Sequence, residues 1–255
     1  MQKLKFFVYA LFITPLLLTS CSKDDDDPQP AKLEDVKFAL KEDFEEITAP
    51  QNLQKSEDPN AQQVLGYIQQ ANSFKSYMNF FTIPEGAEKS NTPINAAGGR
   101  VTSGEYLVYK WSYDGLTIAY QVSQQGNEYV FEAFINDGEG SSTLVKYIEA
   151  RQSTDGKKGS MKVFDFYDLD DNGKLDDVTA NYIWEHRDNG SIYFKFDFGN
   201  DALVYELEVN ADASGKVQYY IEGELYYFVE WDAQGNGSWK YYSEGKVVES
   251  DSWTV

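Results

Sequence analysis

Apolar residues along this chain follow three successive rhythms. Residues 6–18 are almost unbroken hydrocarbon, preceded by Lys3 and Lys5 and interrupted only by Thr14 and Pro15. A short positive head and an apolar run too brief to span a bilayer comfortably predict a secretory signal segment over 1–20. The second rhythm is helical. Asp58 is a predicted N-cap with Pro59 in the first helical position. Val64, Leu65, Ile68, Ala71, Phe74, Tyr77, Met78 and Phe81 then draw one stripe, with Gln62, Gln63, Gln69 and Gln70 mostly off it. Pro84 and Gly86 are expected to stop this helix. A second helix is expected over 33–47, where Val36, Leu40, Phe44 and Ile47 recur at four and three.

From Glu105 onward the period falls to two. Leu107, Tyr109, Trp111 and Tyr113 alternate with other residues, followed by Leu116, Ile118, Tyr120 and Val122. The same alternation returns at Ile192 to Phe198, Leu203 to Val209, Val217 to Ile221 and Leu225 to Trp231. Hairpin signals punctuate these runs: Asp114-Gly115, Gly126-Asn127, Asp137-Gly138, Asn172-Gly173, Asn189-Gly190, Gly215, Gly223 and Gly235-Asn236-Gly237. Roughly ten to twelve strands joined by tight turns predict a mainly β fold built as one antiparallel meander. A sheet of that length must curl, close or split. The expectation is a curved sheet or open barrel with one or two N-terminal helices packed on its concave face. The turns recur at uneven spacing, so no strict repeat is predicted.

Composition sharpens the picture. Aromatic residues make up 16% of the chain, including 19 tyrosines, a load foreign to a disordered polymer. The formal charge is −20, and removing 1–20 takes Lys3 and Lys5 away and leaves −22. Such an excess argues against nucleic acid, whose phosphates need Lys and Arg. Cys21 is the only cysteine, so no disulfide framework is available.

The apolar run ends as Leu18-Thr19-Ser20-Cys21, which resembles the lipobox of bacterial lipoproteins. The resemblance implies acylation of the Cys21 thiol and cleavage before it, leaving a membrane-anchored chain. A single acyl chain holds a protein only marginally, and two or three hold it firmly. Asp24, Asp25, Asp26 and Asp27 follow at once, in a stretch similar to the acidic export signal of Bacteroidota lipoproteins. That likeness implies display on the outer face of the outer membrane. By composition alone the run is a solvated, self-repelling spacer, continued by Pro28-Gln29-Pro30. The expected organisation is a signal over 1–20, a tether over 21–32 and one ectodomain over 33–255, with helices in 33–86 and the meander in 100–255.

One stretch points to a metal. In Asp168-Leu169-Asp170-Asp171-Asn172-Gly173-Lys174-Leu175-Asp176-Asp177, alternate oxygen donors precede a glycine turn, as calcium requires. Asp168, Asp170 and Asn172 fall at positions one, three and five of an EF-hand-like loop, Lys174 offers its carbonyl and Asp176 stands at nine. Position twelve is Thr179 where that loop needs a bidentate glutamate, and strands are expected on both flanks. The segment reads equally as an Asn-Gly hairpin on an acidic protein. A calcium site here would be weak, with a Kd of about 0.1–1 mM.

Catalytic chemistry is poorly represented. His186 is the sole histidine, expected near a strand end, and the lipoprotein resemblance implies that Cys21 carries lipid. Pairs of carboxylates arise by chance among 42 acidic residues. Trp111, Trp184, Trp231, Trp239 and Trp253 are expected mainly in the core. Two function classes follow. The first is a non-enzymatic, lipid-anchored surface protein that binds a glycan, peptide or partner protein. The second is a periplasm-facing carrier or scaffold with an apolar ligand between sheet and helix; a carboxylate-based hydrolase is the outsider. An exposed aromatic strip favours the first and a deep apolar cavity the second. Carboxylates with raised pKa in a cleft would favour the hydrolase.

Overall fold

Asp58 opens the main helix as its sequence position demands. In the computed structural model its Oδ1 accepts hydrogen bonds from the N–H groups of Asn60 at 2.8 Å and Ala61 at 3.3 Å, satisfying donors that the first turn leaves orphaned. The structure describes residues 32–38, 46–77, 81–94, 105–136, 144–164, 178–199 and 201–255, with side chains of the helix described as far as Ser73. Residues 32–255 form one compact unit. Among the described residues two helices precede the sheet, α1 (Gln51–Lys55) and α2 (Pro59–Tyr77). The buried positions of α2 are Ala61, Val64, Ile68 and Ala71, while Gln62, Gln63, Gln69 and Gln70 are exposed. The predicted stripe is therefore correct over the described side chains; those of Phe74, Tyr77 and Met78 lie outside them.

The helix expected over 33–47 is not formed by the described residues of that segment. Residues 33–35 make a turn, with Asp35 N–H donating to Lys32 O at 2.8 Å, and 36–38 and 46–50 are not helical. Phe38 and Ile47 are nevertheless buried. Ile47 is held by a side chain instead of a helical turn. Its N–H donates to Asn72 Oδ1 and its carbonyl accepts from Asn72 Nδ2, both at 2.9 Å. Val36 packs against the core and Ile47 is buried in it without a helical turn, while Leu40 and Phe44 lie outside the described residues. The short α1 was not foreseen; fully buried Leu53 fixes it.

The strands are β1 (Glu88–Ser90), β2 (Tyr106–Tyr113), β3 (Leu116–Gln125), β4 (Glu128–Asn136), β5 (Val145–Ser153), β6 (Lys158–Phe164) and β7 (Val178–His186). They continue as β8 (Ile192–Phe198), β9 (Leu203–Val209), β10 (Gly215–Ile221), β11 (Glu224–Trp231), β12 (Gly237–Ser243) and β13 (Lys246–Trp253). All belong to one antiparallel sheet whose spatial order is the chain order, β1 at one edge and β13 at the other. The sheet is open.

One face carries the core. Val122, Phe131, Ala150, Met161, Trp184, Phe194, Phe196, Leu207, Val217 and Val229 are buried there in one cluster with the α2 stripe. Period-two alternation puts charge on much of the other face, which over β2–β4 is itself buried at Val108, Ala119, Val130 and Phe134. Lys146 bonds Glu132 at 2.5 Å and Glu149 at 2.8 Å, and Arg151 reaches Glu149 at 3.0 Å. Farther along, Arg187 and Lys216 both pair with Glu208, at 2.9 and 3.2 Å.

Three close approaches pin the register. Gly159 faces Trp184, Gly215 faces Trp231 and Gly237 faces Trp253. A Cβ on any of these glycines would stand closer than 3.0 Å to the indole and to a backbone carbonyl. Gly215, read from the sequence as a turn, is instead the first residue of β10, left bare so that the Trp231 ring can lie across it. Trp231 and Trp253 donate their indole N–H to Ala213 O and Gly235 O, each at 2.8 Å.

Candidate functional site

None of the sequence-predicted site residues falls within the described part of the chain. Cys21, Asp24, Asp25, Asp26 and Asp27 lie outside it, as do Asp168, Asp170, Asn172, Lys174 and Asp176. The acidic stretch does link two strands, as expected: β6 ends at Phe164 and β7 begins at Val178, and these two residues face each other. Among the described residues no three His, Cys, Asp or Glu side chains gather as a metal site. His186 closes β7, its backbone N–H donating to Lys157 O at 2.7 Å. Trp184, Trp231, Trp239 and Trp253 are buried, so they serve the core.

The exposed aromatic surface is made of tyrosine, and a local repeat builds it. Residues 215–231 and 237–253 both read Gly-x3-Tyr-Tyr-x-Glu-Gly-x7-Trp, twenty-two positions apart. Each copy folds as a hairpin with an irregular pairing at the same place. Tyr219 faces Tyr227 and Tyr220 faces Leu225, which leaves Tyr226 without a partner. Tyr241 faces Glu249 and Tyr242 faces Val247, which leaves Val248 unpaired. Such a bulge interrupts the alternation and re-aims one side chain. Tyr226 thereby joins Tyr227 on the face that α2 covers, where strict alternation would have sent it to the back. This second signal, the paired motif, was available in the sequence but hidden by the irregular turns elsewhere.

The rings form a continuous series. Tyr226 lies 6.4 Å from Tyr219 and 5.6 Å from Tyr241 between centroids, and Tyr227 lies 4.7 Å from Tyr241. Tyr67 of α2 approaches Tyr205 at 5.6 Å. Between helix and sheet these side chains bound a groove of about 480 Å³, completed by Gln63, Gln70, Phe198 and Leu203. Tyr226 is 45% exposed and Leu203 41%, so the groove opens to solvent.

Its polar groups are only partly committed. Gln63 Nε2 donates to Tyr67 Oη at 3.1 Å, and Tyr227 Oη donates to Asn60 Oδ1 at 3.3 Å. Tyr205 is 3% exposed and its hydroxyl has no hydrogen-bond partner. Burial raises the phenol pKa of Tyr67, Tyr205 and Tyr227, with smaller contributions from neighbouring tyrosines. These hydroxyls remain neutral at physiological pH, donors and acceptors at once.

Among the described carboxylates that shift, all move downward. Ion pairing lowers Glu34, which bonds Lys89, and hydrogen bonds from Ser214 lower Asp212. Desolvation pushes Glu149 up, but hydrogen bonds and attraction to Lys146 and Arg151 outweigh it. These groups are held ionised, the opposite of a general acid. No protein-family model matches the chain, and no curated protein matches it.

Proposed function

We propose that the chain is a lipid-anchored, non-enzymatic binding protein of a bacterial outer membrane, displayed at the cell surface, that captures a glycan along its tyrosine groove. The observation that carries this reading is the row of part-exposed tyrosines Tyr219, Tyr226 and Tyr241 on three adjacent strands from β10 to β12, with buried Tyr205 and Tyr227 beneath them as the floor of the groove. At about 4.8 Å per strand the row spans roughly 10 Å, room for a short linear oligomer running across the strands. Phenol rings offer flat apolar faces to sugar rings, and their hydroxyls with the amides of Gln63 and Gln70 offer hydrogen bonds. The alternative of an apolar ligand between sheet and helix is less well served, because this groove is rich in hydroxyls and amides and open to solvent.

Titration of the full-length protein in detergent against neutral oligosaccharides tests the reading. Tyr226→Ala removes one half-exposed ring whose stacking contributes about 0.5–1.5 kcal/mol, so affinity should fall about two- to thirteenfold while the melting temperature barely moves. Unchanged affinity would reject the groove as the binding site. The anchor is tested separately. Cys21→Ala should leave an uncut precursor or a soluble product, and unaltered partitioning into detergent would reject lipidation.

A further inference from the structure

Beyond Tyr226 and Tyr241 the tyrosine groove runs on into a second one, of about 690 Å³, over the tips of the last two hairpins. Its apolar lining includes Ile221, Leu225, Tyr226, Tyr241 and Val248. Val248, the residue extruded by the second bulge, is 64% exposed. Glu222, Glu224, Glu244 and Glu249 stand around this lining, all exposed. Their placement follows from the repeat: Glu222 and Glu244 occupy equivalent turn positions, with φ of 51° in each. None of the four is in an ion pair among the described residues, whereas Glu132, Glu149, Glu185 and Glu208 on the opposite face all are. Lys246, facing Ser243, stands at the outer end.

Unpaired carboxylates along an apolar, ring-lined cleft focus a negative potential where a cation would meet the faces of Tyr226 and Tyr241. We infer that this extension selects an amine-bearing glycan, the ammonium groups resting between the two tyrosine rings and the four glutamates, and that it rejects acidic polysaccharides. The inference rests on the glycan reading above and specifies the charge of the ligand. It commits the two grooves to one extended ligand, with ring stacking toward α2 and charge recognition toward the hairpin tips.

The probes are glucosamine oligomers and N-acetylglucosamine oligomers of equal length, which differ in carrying an amine or a neutral amide. Both are titrated into the full-length protein in detergent, in slightly acidic buffer that keeps the glucosamine amines protonated. The amine form should bind at least tenfold more tightly, and added salt should erode that preference. A variant with Glu222→Gln, Glu224→Gln, Glu244→Gln and Glu249→Gln should lose the preference and keep its affinity for the acetylated form. A charge-matched control, with Glu57→Gln, Glu85→Gln, Glu88→Gln and Asp114→Asn, should retain it; these four are exposed and lie outside both grooves. Equal binding of the two oligomers, or equal loss of preference in variant and control, overturns the inference while the glycan reading stands. Binding of neither oligomer overturns both.

Discussion

Gly159→Ala should cost about 3 kcal/mol or more, lowering the melting temperature by roughly 2–4 °C for each of them in a domain of this size. The added methyl would overlap the six-membered ring of Trp184 on β7 and the backbone oxygen of Arg151 on β5. Neither can yield cheaply. Trp184 is 1% exposed and its ring packs edge-on to Phe38 at 5.4 Å, and Arg151 sits within the β4–β5–β6 ladder. The same substitution at Gly66 should have the opposite sign. Gly66 lies in α2 with nothing within 4 Å of a new Cβ, so alanine gains helix propensity and should stabilise by about 0.5–1 kcal/mol. Thermal melts of both variants decide the matter: a harmless Gly159→Ala would mean that Trp184 does not lie over β6.

Ile68→Ala should be comparably damaging, at about 2–5 kcal/mol. Ile68 is 4% exposed and belongs to the cluster that joins α2 to the sheet. Truncation leaves a hole that the rigid strands beneath cannot close. Gln69→Ala, one residue on and exposed, should stay within about 0.5 kcal/mol. Chemical denaturation curves of equal slope would give both values. Equal midpoints would show that α2 is not held by this stripe.

The elements most legible in the sequence were those whose two sides differ. The glutamines and apolar residues of α2 separate cleanly, and β8 and β9 alternate without interruption, so their faces could be assigned directly. Asp114-Gly115 and Asn189-Gly190 mark real hairpins, with positive φ at Asp114, Gly115 and Gly190, where glycine or a short polar residue is favoured. The failures have physical causes. At the described ends of 33–47, residues 33–38 and 46–47, the expected helix is absent: Phe38 and Ile47 are buried from non-helical backbone, and Asn72 supplies the hydrogen bonds of Ile47 that a helical turn would have made. Gly215 was taken for a turn because glycine permits two things, a left-handed backbone and the close passage of an indole, and only the second applies there. The tyrosine groove was missed because a bulge breaks the alternation on which face assignments depend. Tyr226 and Tyr227 are adjacent in sequence, and nothing in their identity says that both point the same way.

Every strand of this sheet pairs only with its neighbours in the chain, and the order in space never departs from the order of synthesis. Strand pairings are therefore short in sequence, and little loop entropy stands in the way of each successive one, whereas α2 must reach the sheet over much longer stretches of chain. A chain delivered from one end could add hairpins one at a time, each covering the edge that the last left open. Stability in such an array approximates a sum of neighbour terms. The two edge strands β1 and β13, each paired on one side only, should exchange their amide hydrogens before the strands between them. Since β12 and β13 carry Tyr241 and Glu249, a ligand held there would act as a clasp on one fraying end of the sheet.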